Sequence, residues 1–350
     1  MALKPPVEVP QGAIRLNTDS QKLEFFAQDQ WWEMATDVPT LDGGGRGICG
    51  GMTPDASSAV TALDFITIPT AGNAADFGDL SVARIGLASY SSKTRGIFHS
   101  GLSKNEIDYV TIASTGTAVD FGNSQANRAY AKGLSNATRG ISGGGYPGTD
   151  QIDYVTIAST GDAKDFGNLS SGISGETNNV GGGPSGAASP TRGVFVGGYI
   201  NPGSLASLNT IQYITIASTG DAQDFGDLTI SKRSHSGQAC SSTRSVVASG
   251  YNQPVNGNYN TVESTEYYTF ASTGNSTGFG DMLGSSGISP GATSDSVRGV
   301  WMGGGIVSPL SGSNIIQYVN IPTLGDTVDF GDMVTTGGWC DACSNAHGGL

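Results

Sequence analysis

Charge is scarce in this 350-residue chain, with Asp, Glu, Lys and Arg making up 13% of it, and basic charge is the scarcest: 17 Lys and Arg against 30 Asp and Glu, a net charge of −13. The few Lys and Arg are spread thinly along the sequence, and a grip on nucleic-acid phosphates needs them clustered, so no nucleic-acid partner is expected. No segment approaches the roughly 18 to 20 apolar residues of a membrane span. The opening "MALKPPVEVPQG" has no apolar secretion-signal core, which predicts synthesis in a cytoplasm without membrane insertion. Four cysteines, Cys49, Cys240, Cys340 and Cys343, are too few for a disulfide scaffold of this size. The three histidines, His99, His235 and His347, fall into no acid, base or nucleophile pattern, so neither catalytic residues nor a cofactor are expected. Apolar residues at sustained helical spacing are also missing. What remains is 54 Gly, many Ser and Thr, and short runs of Val, Ile, Tyr, Phe and Thr, which suit pleated, half-buried strands. The expected class is all-β.

The runs repeat. "IDYVTIASTG" at 107–116 returns at 152–161 and, as "IQYITIASTG", at 211–220. The full unit is seen in 127–169: a strand of small residues, "TRGIS", the strand just quoted, then "DFGNL". Turn residues separate the four. Arg marks the second strand at Arg46, Arg95, Arg139, Arg192, Arg244 and Arg298, followed by Gly except at Ser245. An aromatic marks the third at Phe65, Tyr109, Tyr154, Tyr213, Tyr267 and Tyr318, and Phe-Gly the fourth at Phe77, Phe121, Phe166, Phe225, Phe279 and Phe330. A four-stranded unit repeating at about 50 residues points to radially arranged sheets that cover one another. The expectation is a six-bladed β-propeller over residues 41–350. The first Arg marker has no strand of its own repeat before it, whereas "VTTGGWCDACSNAHGGL" at the far end aligns with the first-strand segments. The C-terminal strand is therefore expected to complete the first blade.

The paired glycines that end the second strands (Gly50 and Gly51, Gly143 and Gly144, Gly197 and Gly198, Gly303 and Gly304), followed by a strand with an aromatic, resemble the kelch-type propeller pattern. Phe stands where that family usually has Trp, and its Tyr-Asp pairing is missing. The Phe of Phe-Gly is expected to pack between blades. The Asp before it, at 76, 120, 165, 224 and 329, is expected to pair with an Arg marker, because repeat five loses that Asp (Gly278) and also carries Ser245. The recurring "DFG" is no kinase signature, since its required companions are missing. "WCDACS" at 339–344 leaves three readings: a disulfide, a zinc site completed by Cys49 and His347, or packed free thiols; no metal is assigned.

The turn after the third strand is nearly uniform, while the connection from second to third strand varies in length and chemistry. Such loops share one face of a propeller, and binding is usually placed on loops carried by a rigid scaffold. The candidate binding residues there are Tyr146, Tyr199, Asn201, Tyr251, Asn252, Asn256, Tyr259 and Asn260, flat rings and amides suited to sugars or proteins.

Residues 1–40 are different. "GAIRLNTDSQKLEFFAQDQWWEM", 12–34, reads as a hairpin with Ile14 and Leu16 alternating, a turn at 19–21, Leu23 and Phe25 alternating, and then Trp31 and Trp32. Such a hairpin is marginal alone. Ile14, Leu16, Phe25, Trp31 and Trp32 are therefore assigned to attachment or oligomerisation. The segment resembles a module of tail-fibre and other virion appendage proteins of tailed bacteriophages, through Gly12, Ile14, Arg15, Asn17, Asp19, Lys22, Leu23, Glu24 and Trp31. The Phe-Gly repeats are similar to proteins of phages infecting marine and cyanobacterial hosts. The resemblance implies a non-enzymatic structural virion protein, in a tail fibre or appendage. Its N-terminal segment would bind other virion proteins, its propeller would face a host-surface glycan or protein, and its oligomer would be homomeric, commonly a trimer. Capsid decoration or tail-assembly docking, and a carbohydrate-active propeller enzyme, remain as alternatives.

Overall fold

The computed structural model describes residues 9–17, 22–33, 44–55, 58–102, 104–146, 149–170, 184–200, 206–232, 237–248, 250–252, 260–284, 289–307 and 310–350. The chain divides into two compact units, Met1–Leu41 and Asp42–Leu350. All regular structure among the described residues is β-strand.

The first unit is a three-stranded antiparallel sheet of Ile14–Asn17, Lys22–Ala27 and Gln30–Glu33. The expected hairpin is extended by one strand, because Gln28 and Asp29 both adopt left-handed backbone (φ 53° and 60°) and form a two-residue turn. Ile14 faces Phe25, Leu16 faces Leu23, and Phe25 faces Trp32, so these five side chains share one side. Four of them are well exposed, from Leu23 at 42% to Ile14 at 64%. On the other side Arg15 lies over the Trp31 ring at 4.1 Å and pairs with Glu24 at 2.7 Å.

The second unit is built on a repeated antiparallel sheet of four strands, in the order first to fourth. Sheet 1 comprises Asp341–Ser344, Arg46–Gly50, Ala62–Thr67 and Ala75–Asp79; sheet 2 comprises Ala88–Ser91, Arg95–Gly101, Lys104–Thr111 and Val119–Asn123. Sheet 3 comprises Lys132–Ser135, Arg139–Gly143, Gln151–Thr156 and Lys164–Asn168; sheet 4 comprises Ser185–Ala188, Arg192–Val196, Ala206–Thr215 and Gln223–Lys232. Sheet 5 comprises Gln238–Cys240, Arg244–Val247, Ser264–Thr269 and Thr277–Asp281; sheet 6 comprises Gly291–Ser294, Arg298–Met302, Leu310–Asn320 and Val328–Gly337. Sheet 1 joins the two ends of the unit, with Ala342 opposite Cys49 and Ser344 opposite Gly47. The first two strands of each sheet are mostly buried, and the fourth is mostly exposed or half-buried. In sheet 1, for example, the first strand is wholly buried and the fourth shows only Phe77 buried.

Neighbouring first strands are tied by small side chains. Ser135 Oγ donates to the Ser91 carbonyl (2.8 Å), Ser91 Oγ to that of Ser344 (2.6 Å), Ser344 Oγ to that of Ser294 (2.5 Å) and Ser294 Oγ to that of Cys240 (2.8 Å). Cys240 Sγ reaches the Ala188 carbonyl at 3.5 Å.

Each fourth strand carries a bulge at its Phe. In sheet 2, for instance, Asp120 faces Asp108 and Gly122 faces Ile107, so Phe121 is the extra residue. The bulge turns Phe inward and leaves the preceding Asp in solvent. Phe77 then packs with Val110 and Ile112 of sheet 2, and Phe330 with Ile66 and Ile68 of sheet 1, which is the inter-sheet position expected. Burying one such ring is worth roughly 1.5–3 kcal/mol. Each bulged strand would expose unpaired backbone, but the third-strand turn of the next sheet covers it: Gly116 N donates to the Phe77 carbonyl, Gly161 N to Phe121, Gly220 N to Phe166, Gly274 N to Phe225, Gly325 N to Phe279 and Gly72 N to Phe330, at 2.7–3.0 Å. Gly331, at φ +149°, comes so close to that turn that a Cβ would lie 2.5 Å from the Gly72 carbonyl.

The Arg markers do not pair with the Asp of Asp-Phe-Gly. Each guanidinium sits over the third-strand aromatic of its own sheet, from 4.3 Å (Arg244 on Tyr267) to 4.9 Å (Arg298 on Tyr318). It also donates to a carbonyl of the next sheet: Arg46 to Ile112, Arg95 to Ile157, Arg139 to Ile216, Arg192 to Phe270, Arg244 to Ile321 and Arg298 to Ile68. The ring face takes the charge and the carbonyl takes the N–H, so no carboxylate is required.

Candidate functional site

Because first and second strands are antiparallel, the end of each second strand, where the variable connection leaves, lies beside the start of the first strand; Gly143 opposite Lys132 is one case. The variable connections and the segments joining one sheet to the next thus gather at one end, and the Arg markers at the other.

Sheets 4, 5 and 6 elaborate this end with extra strands. Tyr199–Ile200 pairs with Ala206 and Ser207, Gly250–Asn252 pairs with Asn260–Val262, and Gly305–Val307 pairs with Leu310–Gly312. Those of sheet 4 reach those of sheet 5, where Ser207 Oγ donates to the Tyr251 carbonyl at 3.2 Å, and those of sheet 6 reach sheet 1, where Gly312 N donates to the Pro54 carbonyl at 3.2 Å. Among the described residues the rim they form is thus hydrogen-bonded at two of its junctions.

The predicted binding residues fall on this rim unevenly. Tyr146 is 40% exposed, and its loop is fixed by reciprocal backbone bonds with Ala129. Asn252 is half-buried in the rim strand. Tyr251 is buried at 6% exposure, because alternation along Gly250–Asn252 turns its ring inward. Tyr199 and Asn260 lie on rim strands, with their side chains outside the described residues; Asn201, Asn256 and Tyr259 lie outside them altogether.

The sequence reading missed the polar anchors beneath the rim. The residue before each third-strand aromatic is a buried carboxylate or amide: Asp64, Asp108, Asp153, Gln212, Glu266 and Gln317. Each accepts a bond from the segment entering its sheet. Thr335 N reaches Asp64 (2.8 Å), Ser81 N reaches Asp108 (3.1 Å), Ser170 N reaches Gln212 (2.7 Å), Thr229 N reaches Glu266 (2.7 Å) and Leu283 N reaches Gln317 (2.9 Å). Three of the anchors gain a buried cation from the same segment: Arg84 on Asp108 (3.0 Å), Arg128 on Asp153, and Lys232 on Glu266 (3.1 Å). Burial pushes Asp153 and Asp64 upward despite these bonds. The signal was legible: "LDF", "IDY", "IQY" and "TEY" put a polar residue at a position that alternation makes inward.

Among the first strands lies a cavity of about 50 Å³, bordered by Ser91, Lys132, Gln238, Ser294, Asp341 and His347. That is room for a few waters, far less than a sugar needs. Lys132 Nζ stands 3.4 Å from Asp341, whose carboxyl burial pushes up and the Lys132 charge pulls back down. At the opposite end His347 Nδ1 accepts the Gly349 N–H (3.1 Å), so Nε2 carries the proton and lies 3.2 Å from the Ser91 carbonyl. Gly348 N donates to the Cys240 carbonyl (3.0 Å), so this short segment bridges sheets 2 and 5.

His99 is buried. Tyr90 Oη meets its Nδ1 at 2.8 Å, and burial, with Arg128 and Arg84 adding to it, pushes its pKa well down. His235 lies outside the described residues. Cys340 and Cys343 do not form a pair: three residues apart on extended chain, they face opposite sides, Cys340 in the core between sheets 6 and 1 and Cys343 in that between sheets 1 and 2. Among the described residues no group of three or more His, Cys, Asp or Glu side chains could hold a metal.

A scan against protein-family models finds no match for this chain. A comparison with curated proteins likewise yields no relative.

Proposed function

We propose that residues 42–350 form a closed six-bladed β-propeller, and that the chain is a structural protein of a tailed-phage particle, a tail fibre or appendage that presents the rim of the propeller to the host surface. The first strands support closure: sheet 2 neighbours both sheet 3 and sheet 1, and sheet 6 neighbours both sheet 5 and sheet 1. The Arg, Gly and Phe contacts between sheets repeat with the same cyclic partners.

The observation that carries the functional reading is the division of labour along the chain. A small three-stranded sheet leaves an apolar side exposed, Ile14, Leu16, Leu23 and Trp32, and this side supplies an attachment surface for other virion proteins or for further copies of the chain. The large unit holds a rim of variable connections, bonded between neighbours at Ser207–Tyr251 and Gly312–Pro54, on deeply anchored sheets, and a rigid support of this kind holds binding residues in place. The ligand is a host-surface glycan or protein, with Tyr146 and Asn252 as described contact residues.

Purified full-length chain should compete with the phage for its host, lowering adsorption several-fold, and antibody against the chain should decorate the tail in electron micrographs. Decoration without competition would favour a docking role. No decoration of the particle at all would end the virion reading.

A further inference from the structure

Cys49 and Cys340 meet in the sheet that joins the two ends of the large unit. Cys49 lies on the second strand of sheet 1, and Cys340 immediately precedes its first strand, which pairs with that same second strand. Both side chains belong to one core cluster, together with Met52, Met302 and Met333. Their sulfurs converge on Gly291 of sheet 6: its N–H donates to Cys340 Sγ at 3.2 Å, and a Cβ on it would stand 3.0 Å from Cys49 Sγ. Both are wholly buried.

The remaining cysteines cannot join this pair. Cys343 faces the other side of sheet 1, against Gly96, and Cys240 is held by the Ala188 carbonyl in sheet 5. The sequence motif misleads here, because the C-x-x-C partner of Cys340 is the wrong one.

We propose that Cys49 and Cys340 are a disulfide site, and that their oxidation ties the closing strand of the chain covalently to the sheet it completes. The oxidant is a low-molecular-weight disulfide such as oxidised glutathione. One protein thiolate attacks it, forming a mixed disulfide and releasing one small thiolate. The second protein thiolate then attacks the sulfur of the first and releases the other. Two protein thiols are oxidised, one small disulfide is reduced to two thiols, and the two protein protons pass to them. Because both sulfurs are buried, exchange proceeds through the form in which Asp341–Ser344 has left Arg46–Gly50. Once formed, the bond encloses nearly the whole chain, the arrangement in which a cross-link restricts the unfolded state most.

The test equilibrates the full chain with oxidised and reduced glutathione in urea below its unfolding midpoint, then alkylates free thiols and maps peptides. The expected product carries two alkylated cysteines, Cys240 and Cys343, with a cross-linked peptide pair containing Cys49 and Cys340. Its urea midpoint should stand above that of the phosphine-reduced protein, by roughly 1 M. Cys49→Ala and Cys340→Ala should each abolish the redox dependence, and Cys240→Ala and Cys343→Ala should keep it. Should the alanine variants fold poorly, the peptide map of the wild type decides by itself. Four alkylatable thiols at equilibrium, a cross-link between other cysteines, or a bond that leaves the midpoint unmoved would each overturn the proposal.

Discussion

Arg298 Nη1 donates to the carbonyl of Ile68 at 3.1 Å, across 230 residues of sequence. The same bond joins every other successive pair of sheets at nearly the same length, for example Arg139 to Ile216 at 2.9 Å. Sheet 6 therefore treats sheet 1 as its successor. A hydrogen bond from a charged donor contributes about 1.5–3 kcal/mol and a partly exposed cation–π contact about 0.5–1 kcal/mol. Arg298→Ala should cost about 2–3 kcal/mol by urea unfolding, as should Arg139→Ala. A silent Arg298→Ala beside a costly Arg139→Ala would mean that the cycle is open between sheets 6 and 1.

Gly331 and Gly72 meet at that same boundary with nearly the same backbone, φ +149° and +154°, yet they differ in surroundings. A Cβ on Gly72 would meet nothing within 4 Å, whereas one on Gly331 would run into the backbone of the Gly72 turn. Gly331→Ala should therefore be the costlier change, above about 3 kcal/mol, and Gly72→Ala should show only the strain of its dihedral, about 1 kcal/mol. Gly278, where the other repeats have Asp, has open space around it, and Gly278→Asp should stay within about 0.5 kcal/mol of wild type. Thermal melts of the three proteins check the order.

The repeat itself was readable because its marks are backbone requirements and packing rings, which recur wherever the same sheet recurs. Phe121 and its counterparts announced the inter-sheet core for that reason. The Arg was misassigned because a charge beside an acidic residue suggests a pair, while the true partners, a carbonyl and a ring face, leave no charge signature in the sequence. Three positions of extended chain reverse the side, so Cys340 and Cys343 parted although their spacing imitates a redox motif. Asp153 was in plain view, but its partner Arg128 enters from a connection with no periodicity to place it. Tyr251 counted as a displayed ring because a loop assignment hides alternation, and the short strand restores it.

Lys232 and Glu266 give the buried pairs a test, since the chain supplies its own control. Sheets 4 and 6 fill the same anchor position with the neutral amides Gln212 and Gln317, which accept backbone N–H groups. Removing one partner strands the other charge in the core, so Lys232→Met and Glu266→Gln should each destabilise by about 3–5 kcal/mol. The double variant should recover most of that loss, a coupling of about 2 kcal/mol or more in a double-mutant cycle. Additive losses would show that the ammonium and carboxylate do not depend on each other.

Like the buried His99, His347 contributes to the acid sensitivity of the large unit. Burial holds its pKa down at about 4, against an ordinary 6.5. The imidazole is neutral in the fold because Nδ1 already accepts the Gly349 N–H, and a proton there would face that donor. Between pH 6.5 and about 4 the unfolded chain binds a proton that the folded chain refuses, so stability falls as pH falls through this window and is unaffected by His347 above it. One such group gives a slope of at most about 1.4 kcal/mol per pH unit. Asp341, Asp153 and Asp64 act in the opposite sense, since burial raises their folded pKa values and acid relieves them. The wild-type profile therefore mixes signs, and the difference from His347→Gln isolates the histidine: Gln keeps an N–H for the Ser91 carbonyl and cannot be protonated. Melting temperatures of the two proteins should run parallel above pH 6.5 and separate below it, with wild type losing more. Parallel profiles down to pH 4 would show that the 347–350 segment accepts a charged imidazole, and that its seat against Ser91 and Cys240 does not depend on neutrality.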